Sequence, residues 1–272
     1  MRYTFFILVM TIIYTPTCYA QEKTLYKQVD TTELFLEVYY PSQVEEAKAY
    51  PALVFFFGGG WISGDRMHFI HHAEYFAQRG LVCFLVDYRT KNQNGTTPFE
   101  SLKDAKSAMR FIRKNAERFH VDSTQIIASG GSAGGHLAAA TALVEGYNDD
   151  GDDSSQSCIP DALVLFNPVI DNGPGGYGYG RIGEDYRFFS PLHNIKKGAP
   201  PTLIMLGTND KLIPVVTAQY YQKVMDVVGS RCDLRLYEGG THGFFNYGHG
   251  KFYEQTLMDV DSFLVSLGYL NK

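Results

Sequence analysis

A serine between glycines is the residue of this chain best placed for nucleophilic chemistry. Ser132 lies in a GGSAG sequence at residues 130–134, after the apolar run 126–128 and before an alanine-rich stretch. This pattern predicts a buried strand that turns sharply into a helix, with the serine hydroxyl held out of the turn by a strained backbone conformation. Gly130 and Gly134 are expected to be essential because a Cβ at either position would collide with the neighbouring strand or helix. The alternative is a glycine-rich turn that carries a solvent-exposed serine.

A serine hydroxyl is a weak nucleophile at neutral pH and requires a base, which a carboxylate orients. Asp210 follows the apolar run 202–206, and His242 follows a predicted strand that ends at Tyr237. These two residues and Ser132 therefore lie at the carboxyl ends of predicted strands, which meet at one edge of a parallel sheet. The pattern predicts acyl transfer in which Ser132 attacks, His242 acts as the base and Asp210 orients the imidazole.

Alternatives remain open for the acid and the base. Asp210 could instead cap the helix predicted to begin near Val215, and His242 could be a solvated turn residue. Asp171 is a rival acid because it follows the preceding strand, and His249 is a rival base that lies further beyond its strand.

Attack on an acyl carbon creates an oxyanion that requires hydrogen-bond donors already in position. Three glycines at 58–60 follow the apolar run 51–57, at the carboxyl end of another predicted strand. We expect Gly59 and Gly60 to direct backbone N–H groups into the site. The N–H of Ala133, at a helix N-terminus, is expected to be a further donor. A flexible turn is the alternative for the glycine run.

Predicted strands and helices alternate along most of the chain, which is typical of an α/β fold with a mostly parallel central sheet and helices on both faces. An antiparallel pair of strands is predicted first, within 25–40, because apolar and polar residues alternate there. The later predicted strands lie at 51–57, 81–86, 126–128, 162–166, 202–206 and 234–237, and the helices at 69–79, 98–119, 215–228 and 252–267, with one more after Ser132. The glycine- and tyrosine-rich stretch 169–195 interrupts this alternation and is predicted to form an ordered flap beside the site.

Composition and charge exclude some partners. The chain is 45% hydrophobic and 19% charged, which is ordinary for a folded protein. Its formal net charge of −5 provides no basic surface for nucleic acid or for an anionic membrane, so neither partner is expected. The length suits one catalytic domain over residues 21–272. No oligomeric state is indicated.

Residues 1–20 are predicted to be a secretory signal peptide. Arg2 supplies a positive charge, residues 5–13 form an apolar segment too short to span a membrane, and small residues precede a cleavage point ahead of Gln21. The protein is therefore expected to be secreted or periplasmic. Acylation of Cys18, which would make a lipoprotein, is the less favoured alternative.

Together these residues resemble the α/β-hydrolase esterases of the acetyl-esterase and hormone-sensitive-lipase-like group, over essentially the whole chain after residue 20. The matching segments are Gly58-Gly59-Gly60-Trp61, Asp87-Tyr88-Arg89, Gly130-Gly131-Ser132-Ala133-Gly134-Gly135, Asp210 and His242-Gly243-Phe244. The resemblance implies an α/β-hydrolase fold and serine hydrolysis that needs no cofactor.

Two features depart from the pattern of that group. Phe57 stands where the group usually has histidine, so a polar contact that holds the glycine loop is missing or replaced. The predicted strands begin directly after Gln21, so no large cap domain is expected. The compact form is similar to bacterial carbohydrate esterases that remove acetyl or feruloyl groups from polysaccharides. This similarity implies a small-molecule or oligosaccharide ester as the substrate.

Other side chains are weaker candidates for binding. Three aromatic side chains could form a wall against a sugar or acyl group, or could instead pack against the rest of the protein: Trp61, Tyr177 and Tyr179. Those with the spacing of a metal-binding pair are His68, His71 and His72, although no carboxylate ligand is evident and no metal site is predicted. The acidic loop 149–153 could chelate calcium or be solvated. Cys83 is expected in the core, and Cys158 could pair with Cys232.

The sequence thus predicts a secreted serine carboxylesterase that hydrolyses short-chain, acetyl-type esters through an acyl-enzyme, on carbohydrate substrates. A feruloyl esterase, or a peptidase or amidase with the same three residues, is the alternative. A non-catalytic binding protein is disfavoured because Ser132, Asp210 and His242 are all present.

Overall fold

The computed structural model of the chain describes residues 21–272. The strands are β1 (Gln21–Val29), β2 (Thr32–Tyr39), β3 (Tyr50–Phe56), β4 (Val82–Val86), β5 (Val121–Gly131), β6 (Ala162–Phe166), β7 (Thr202–Gly207) and β8 (Cys232–Tyr237). The α-helices are α1 (Ile70–Gln78), α2 (Lys91–Asn94), α3 (Pro98–Lys114), α4 (Ala133–Leu143), α5 (Tyr179–Ile182), α6 (Tyr186–Phe189), α7 (Val215–Val227) and α8 (Lys251–Ser266). The predicted signal peptide lies outside the described residues.

The strands form one eight-stranded sheet in the order β1-β2-β4-β3-β5-β6-β7-β8. The first two strands run antiparallel to each other, and β2 runs antiparallel to β4. The six strands from β3 to β8 are parallel. The predicted α/β class with a mostly parallel sheet is confirmed. None of the helices within residues 21–272 is long and apolar enough to cross a bilayer.

Helices cover both faces of the sheet because the buried strands place alternate residues on opposite sides. Val54 and Phe56 of β3 face the side that α3, α4 and α7 cover. Leu53 and Phe55 face the opposite side, where α1 and α8 pack. Both faces of the central strands are therefore buried, as their continuous apolar runs predict.

Several segments differ from the sequence prediction. The strand predicted at 126–128 extends over Val121–Gly131. Helix α3 ends at Lys114 instead of 119, because the chain leaves helical geometry at Asn115 and turns into β5. The predicted polar loop after β4 contains the short helix α2. The stretch 169–195 contains α5, α6 and two 3₁₀ turns, at Gly183–Asp185 and Pro191–Asn194.

The turn between β5 and α4 has the strained conformation that its sequence predicts. Ser132 has φ 53° and ψ −118°, a combination that non-glycine residues rarely adopt. Its N–H donates to the carbonyl of Phe166, and its carbonyl accepts from the N–H groups of His136 and Val169. These bonds to α4 and to the segment after β6 hold the serine in place and offset the strain.

Glycine is required at two positions of this turn by close backbone contacts. A Cβ on Gly134 would lie 2.0 Å from the carbonyl oxygen of Phe56 and 2.3 Å from that of Phe57. A Cβ on Gly130 would lie 2.5 Å from the backbone of Gly134. The predicted collision with the neighbouring strand and helix is confirmed.

Because the atoms in the way belong to the backbone of a central strand, Gly134→Ala should lower the free energy of unfolding by about 3 kcal/mol or more. Urea denaturation of purified protein measures this loss. Gly180→Ala is the matched control, since a Cβ on Gly180 would meet no atom within 4 Å. A Gly134→Ala protein as stable as the Gly180→Ala protein would contradict the close packing.

Two buried histidines make stability depend on pH. His72 lies among aromatic rings of the core, and His136 lies in α4, both with almost no exposed surface. Burial lowers the pKa of each to about 3. Below pH 6.5 the unfolded chain therefore binds protons that the folded chain does not.

Stability should consequently be full above pH 6.5 and decline as the pH falls from 6.5 towards 3, by about 1.4 kcal/mol per pH unit for each histidine. Urea denaturation across that range measures the slope. His72→Leu should reduce this slope by about 1.4 kcal/mol per pH unit, the contribution of one proton. His249→Gln, at an exposed position, should leave the slope unchanged. An unaltered slope in His72→Leu would contradict the assignment.

Candidate active site

Three side chains from separate loops meet at the carboxyl edge of the sheet. Ser132 follows β5, Asp210 follows β7 and His242 follows β8. The Oγ of Ser132 lies 2.9 Å from Nε2 of His242, and Nδ1 of His242 lies 2.8 Å from Oδ2 of Asp210. The tautomer with the proton on Nδ1 satisfies both contacts, because Nδ1–H donates to the carboxylate and Nε2 accepts from the hydroxyl. The arrangement can carry a proton from the serine to the imidazole.

The carboxylate of Asp210 is fully buried but well supplied with donors. Burial alone would raise its pKa, yet hydrogen bonds from His242 and from the N–H groups of Ile213 and Leu212 outweigh burial and lower the pKa. Asp210 therefore stays ionised at neutral pH. These backbone bonds hold the turn before α7, but Asp210 does not cap that helix, because its N-cap is Pro214, which makes no side-chain cap bond.

The glycine loop after β3 lines the same cavity. Gly59 and Gly60 have φ values of 127° and 66°, and both line the cavity that contains Ser132. A Cβ on Gly59 would lie 1.9 Å from the carbonyl oxygen of Ser63. Within residues 21–272 no acceptor is bonded to the N–H groups of Gly59 or Gly60. Ala133 begins α4, so its N–H has no acceptor within the helix.

Two residues outside the matching motifs hold the glycine loop where Phe57 cannot. The N–H of Gly58 donates to Nδ1 of His68 (3.1 Å), whose Nε2 then donates to Oδ1 of Asn246 (2.7 Å). Burial of His68 lowers its pKa, against the bond to Asn246, and so favours the neutral ring that can accept from Gly58. On the other side, Arg181 donates to the carbonyl of Gly60. The polar contact is therefore replaced.

Phe57 itself packs into the core. Its ring stacks on Tyr88 with centroids 3.9 Å apart, and the hydroxyl of Tyr88 donates to the carbonyl of Phe57 (2.7 Å).

Asn167 is a site residue that sequence reasoning missed. It is fully buried, follows β6 with φ 34°, and lines the Ser132 cavity. Its Nδ2 lies 3.2 Å from Nδ1 and 3.1 Å from Nε2 of His242. An atom in the ring plane at these distances from both ring nitrogens would collide with a ring carbon. The amide nitrogen of Asn167 therefore lies over the face of the imidazole. No motif signals this residue; only its place after a buried strand could have suggested it.

The cavity at Ser132 has a volume of about 240 Å³. Tyr177 lines it, together with His68, Leu212 and Phe245. Trp61 does not: its indole is 1% exposed, packs edge-on against His136 with centroids 5.1 Å apart, and lines a neighbouring cavity.

Tyr179 does not line the Ser132 cavity. Its hydroxyl donates to the carboxylate of Glu184 (2.6 Å). Of the three aromatic residues predicted to contact substrate, the structure brings only Tyr177 to Ser132.

The remaining candidates have structural partners. The rival acid Asp171 accepts from the N–H of Gly173 (2.8 Å), and the rival base His249 is exposed. His71 contacts Glu74, and no cluster of metal-binding side chains occurs in the described part of the chain.

The aspartates of the acidic loop form ion pairs with basic side chains of other elements. Asp149 pairs with Lys27 (2.9 Å), Asp152 with Arg110 (2.7 Å) and Asp153 with Lys114 (3.0 Å). The three cysteines of residues 21–272, which are Cys83, Cys158 and Cys232, are buried and unpaired.

Two family models match consecutive parts of the chain. The BD-FAE model matches residues 36–172, and the Dienelactone hydrolase family model matches residues 177–260. The first match contains the glycine loop and Ser132, and the second contains Asp210 and His242.

Several curated relatives and solved structures that match the chain are esterases by name. The chain is 27% identical to the acetylxylan esterase of Xylanibacter ruminicola, covering 77% of this chain and 44% of that protein. It is 28% identical to the esterase LipC of Mycobacterium tuberculosis, covering 72% of this chain and 54% of that protein. The chain thus spans about half the length of the curated relatives it matches. The apo structure of Thermogutta terrifontis esterase 2 is 40% identical with a TM-score of 0.89, covering 92% of this chain and 96% of that one.

Proposed function

The chain belongs to the BD-FAE family of α/β-hydrolases, close to carbohydrate esterases, and on this basis we propose that it is a serine carboxylesterase. The observation that carries the proposal is the hydrogen-bonded series Ser132–His242–Asp210. A hydroxyl bonded to an imidazole that is itself bonded to a buried carboxylate is the arrangement that activates serine for acyl transfer.

The reaction proceeds in two steps. His242 takes the proton of Ser132 while Oγ attacks the ester carbonyl, and Asp210 stabilises the imidazolium that forms. The N–H groups of Gly59, Gly60 and Ala133 donate to the developing oxyanion. The alcohol leaves with the proton from His242, and water then releases the acid from Ser132 by the same route.

The size of the site favours a short acyl group. Its volume of about 240 Å³ lies below the range of about 300–1,000 Å³ that is usual for drug-sized ligands. A smaller cavity of about 50 Å³ shares Tyr177 and Leu212 with it, and its lining mixes apolar residues such as Ile213 with polar ones such as Asp171. Acetyl and similarly short groups suit this space, whereas long acyl chains would remain exposed.

The names of the relatives support a carbohydrate ester as the substrate, and export as the location. The relative from Xylanibacter ruminicola is named an acetylxylan esterase. N-terminal sequencing of the protein recovered from the culture medium or periplasm tests the cleavage point.

Hydrolysis of matched substrates tests the function. We expect turnover of p-nitrophenyl acetate to exceed that of the octanoate, with release of acetate from acetylated xylo-oligosaccharides and no cleavage of p-nitroacetanilide. Release of ferulate in preference to acetate would make it a feruloyl esterase, and cleavage of the anilide would make it an amidase. Failure of paraoxon to phosphorylate Ser132, with no ester turned over, would exclude a serine hydrolase.

We further propose that Asn167 is a positioning residue for His242. Removing the amide that covers the imidazole frees the ring to rotate, so Asn167→Ala should lower kcat about 10- to 100-fold. Asn167→Asp would place a negative charge over the ring and should move the acid limb of the kcat/KM–pH profile to higher pH. A merely structural role would lower the stability of Asn167→Ala and leave kcat per folded molecule unchanged, and this result would contradict the proposal.

A further inference from the structure

A second cavity of about 220 Å³ lies beside the glycine loop. It is lined by Trp61, Ile62, Lys91, Thr96, Pro98 and Arg181, among others. Arg181 connects it to the Ser132 cavity, because its guanidinium donates to the carbonyl of Gly60 and lies over the rings of Trp61 and Tyr177, at 5.2 and 5.4 Å from their centroids. Gly60 and Tyr177 line the Ser132 cavity directly.

The charge of this cavity is unbalanced. Lys91 and Arg181 line it, and its lining includes no aspartate or glutamate. A larger cavity at the junction of β1 and α3 differs, because Lys27, Arg110 and Lys114 are matched there by the three aspartates at 149, 152 and 153. The cavity beside the glycine loop therefore has a net positive lining.

Arg181 is unusual among the arginines of this protein. Every other arginine within residues 21–272 has a carboxylate within 4.0 Å, whereas Arg181 has none. A guanidinium has five N–H donors, and the bond to Gly60 uses one nitrogen. Lys91 is exposed and, like several other lysines of the described chain, has no carboxylate within 4.0 Å. Glu100, at the start of α3, is bound back to Thr97 by a capping box.

Two neutral polar atoms on the lining residues also lack partners. Nε1 of Trp61 and Oγ1 of Thr96 are buried without a hydrogen bond within residues 21–272, and Trp61 is 1% exposed. Buried polar atoms are nearly always bonded, so these two are exceptions on residues that line the cavity, although neither atom has surface accessible from it.

The backbone around this cavity is rigid. The N–H groups of Lys91 and Asn92 donate to the carbonyls of Trp61 and Ile62, at 3.0 and 2.9 Å. These bonds fix α2 to the segment after the glycine loop, so the cationic side chain of Lys91 starts from a fixed position. A preformed site loses less entropy on binding than a flexible one.

We propose that this cavity is a subsite for a carboxylate carried by the ester substrate, such as the carboxylate of an O-acetylated uronic acid. Two cations without carboxylate partners line one cavity beside the site, which matches a substrate that carries a carboxylate. Arg181 would bind the carboxylate directly, since its planar fork suits that group. The proposal rests on the proposed esterase function, because it places the carboxylate on the substrate of Ser132.

Matched ester pairs test the subsite. We expect kcat/KM for acetylated methyl glucuronide to exceed that for acetylated methyl glucoside by about tenfold, as one charge-assisted hydrogen bond provides. The preference should shrink as ionic strength rises. Methyl hydrogen succinate compared with methyl butyrate places the carboxylate on the acyl side instead. A preference in either pair supports the subsite and identifies the side, and equal rates in both pairs would overturn it.

A matched pair of variants locates the effect. Lys91→Gln should reduce the preference for the carboxylate by about twofold to threefold, as an exposed charge beside the directly bound Arg181 would, while hydrolysis of the neutral ester stays unchanged. Lys223→Gln removes the same charge from the exposed face of α7 and should change neither. An equal loss in the two variants would show a non-specific effect of charge and would contradict the subsite.

Binding without turnover separates this inference from the proposed function. Trp61 is the single tryptophan of the chain, so its fluorescence reports the occupation of this cavity. In a Ser132→Ala background, methyl glucuronide should change the emission saturably and methyl glucoside should not, and Lys91→Gln should weaken the response. Failure of all ester hydrolysis would refute the esterase and leave this test standing. Absence of a saturable response to the glucuronide would refute the subsite alone.

Discussion

Ser132→Ala should lower kcat for p-nitrophenyl acetate by about 10⁵- to 10⁶-fold, because the substitution removes the atom that forms the acyl-enzyme. The donors at Gly59, Gly60 and Ala133 would remain, so a small residual rate above that in water is expected. Steady-state kinetics with highly purified protein measures the loss, and mass spectrometry after paraoxon treatment should detect no adduct.

Stability provides the control for this result. Alanine keeps the Cβ that strains residue 132 at φ 53°, so Ser132→Ala should unfold like the wild type. Ser132→Gly should be equally inactive but more stable by about 1 kcal/mol, since glycine adopts a positive φ without strain. An active Ser132→Ala protein would refute the proposed nucleophile, whatever its stability.

Asp210→Asn should lower kcat by about 10⁴-fold with little change in KM. Oδ1 of Asp210 accepts from the N–H groups of Leu212 and Ile213, and Oδ2 accepts from His242. An asparagine would keep its oxygen on the backbone groups and turn its NH₂ towards Nδ1 of His242, which favours the tautomer that cannot accept from Ser132. Because the side chain of Asp210 is fully buried, water cannot substitute for the missing acceptor. Kinetics over a range of ester concentrations separates kcat from KM.

Asp171→Asn is the matched control for Asp210→Asn. Asp171 follows β6 as Asp210 follows β7, but its carboxylate accepts from the N–H of Gly173 and does not contact His242. Its substitution should change kcat by no more than about twofold, in the range of a change remote from the reacting atoms. A larger loss from Asp171→Asn than from Asp210→Asn would reverse the assignment of the acid.

The missing histidine at position 57 shows how one loop can be held in different ways. Phe57 packs on Tyr88 inside the core, and the polar support comes from His68 on one side and Arg181 on the other. Arg181 is distant from the glycine loop along the sequence, and His68 belongs to a different element. Support of this kind depends on side chains that meet only after the helices pack against the sheet.

Local sequence determined the parts of this protein that depend on local geometry. The glycines around Ser132 could be interpreted in advance because a tight strand-to-helix turn excludes a Cβ whatever surrounds it, as the contacts of Gly130 and Gly134 show. The parallel sheet followed from continuous apolar runs separated by amphipathic helices. The carboxyl ends of those strands in turn indicated where Asp210 and His242 would meet Ser132.

Tertiary structure alone decided which side chains surround that point. Sequence left Asp171 and Asp210 as rival acids, and only the packing of the loops brings one of them to His242. Asn167 carries no motif, yet it lies over the imidazole. Trp61 adjoins the glycine loop in sequence, yet φ 58° turns it into the core and towards the second cavity. Such contacts join residues far apart in the chain, so they depend on loop paths and packing that no local pattern encodes.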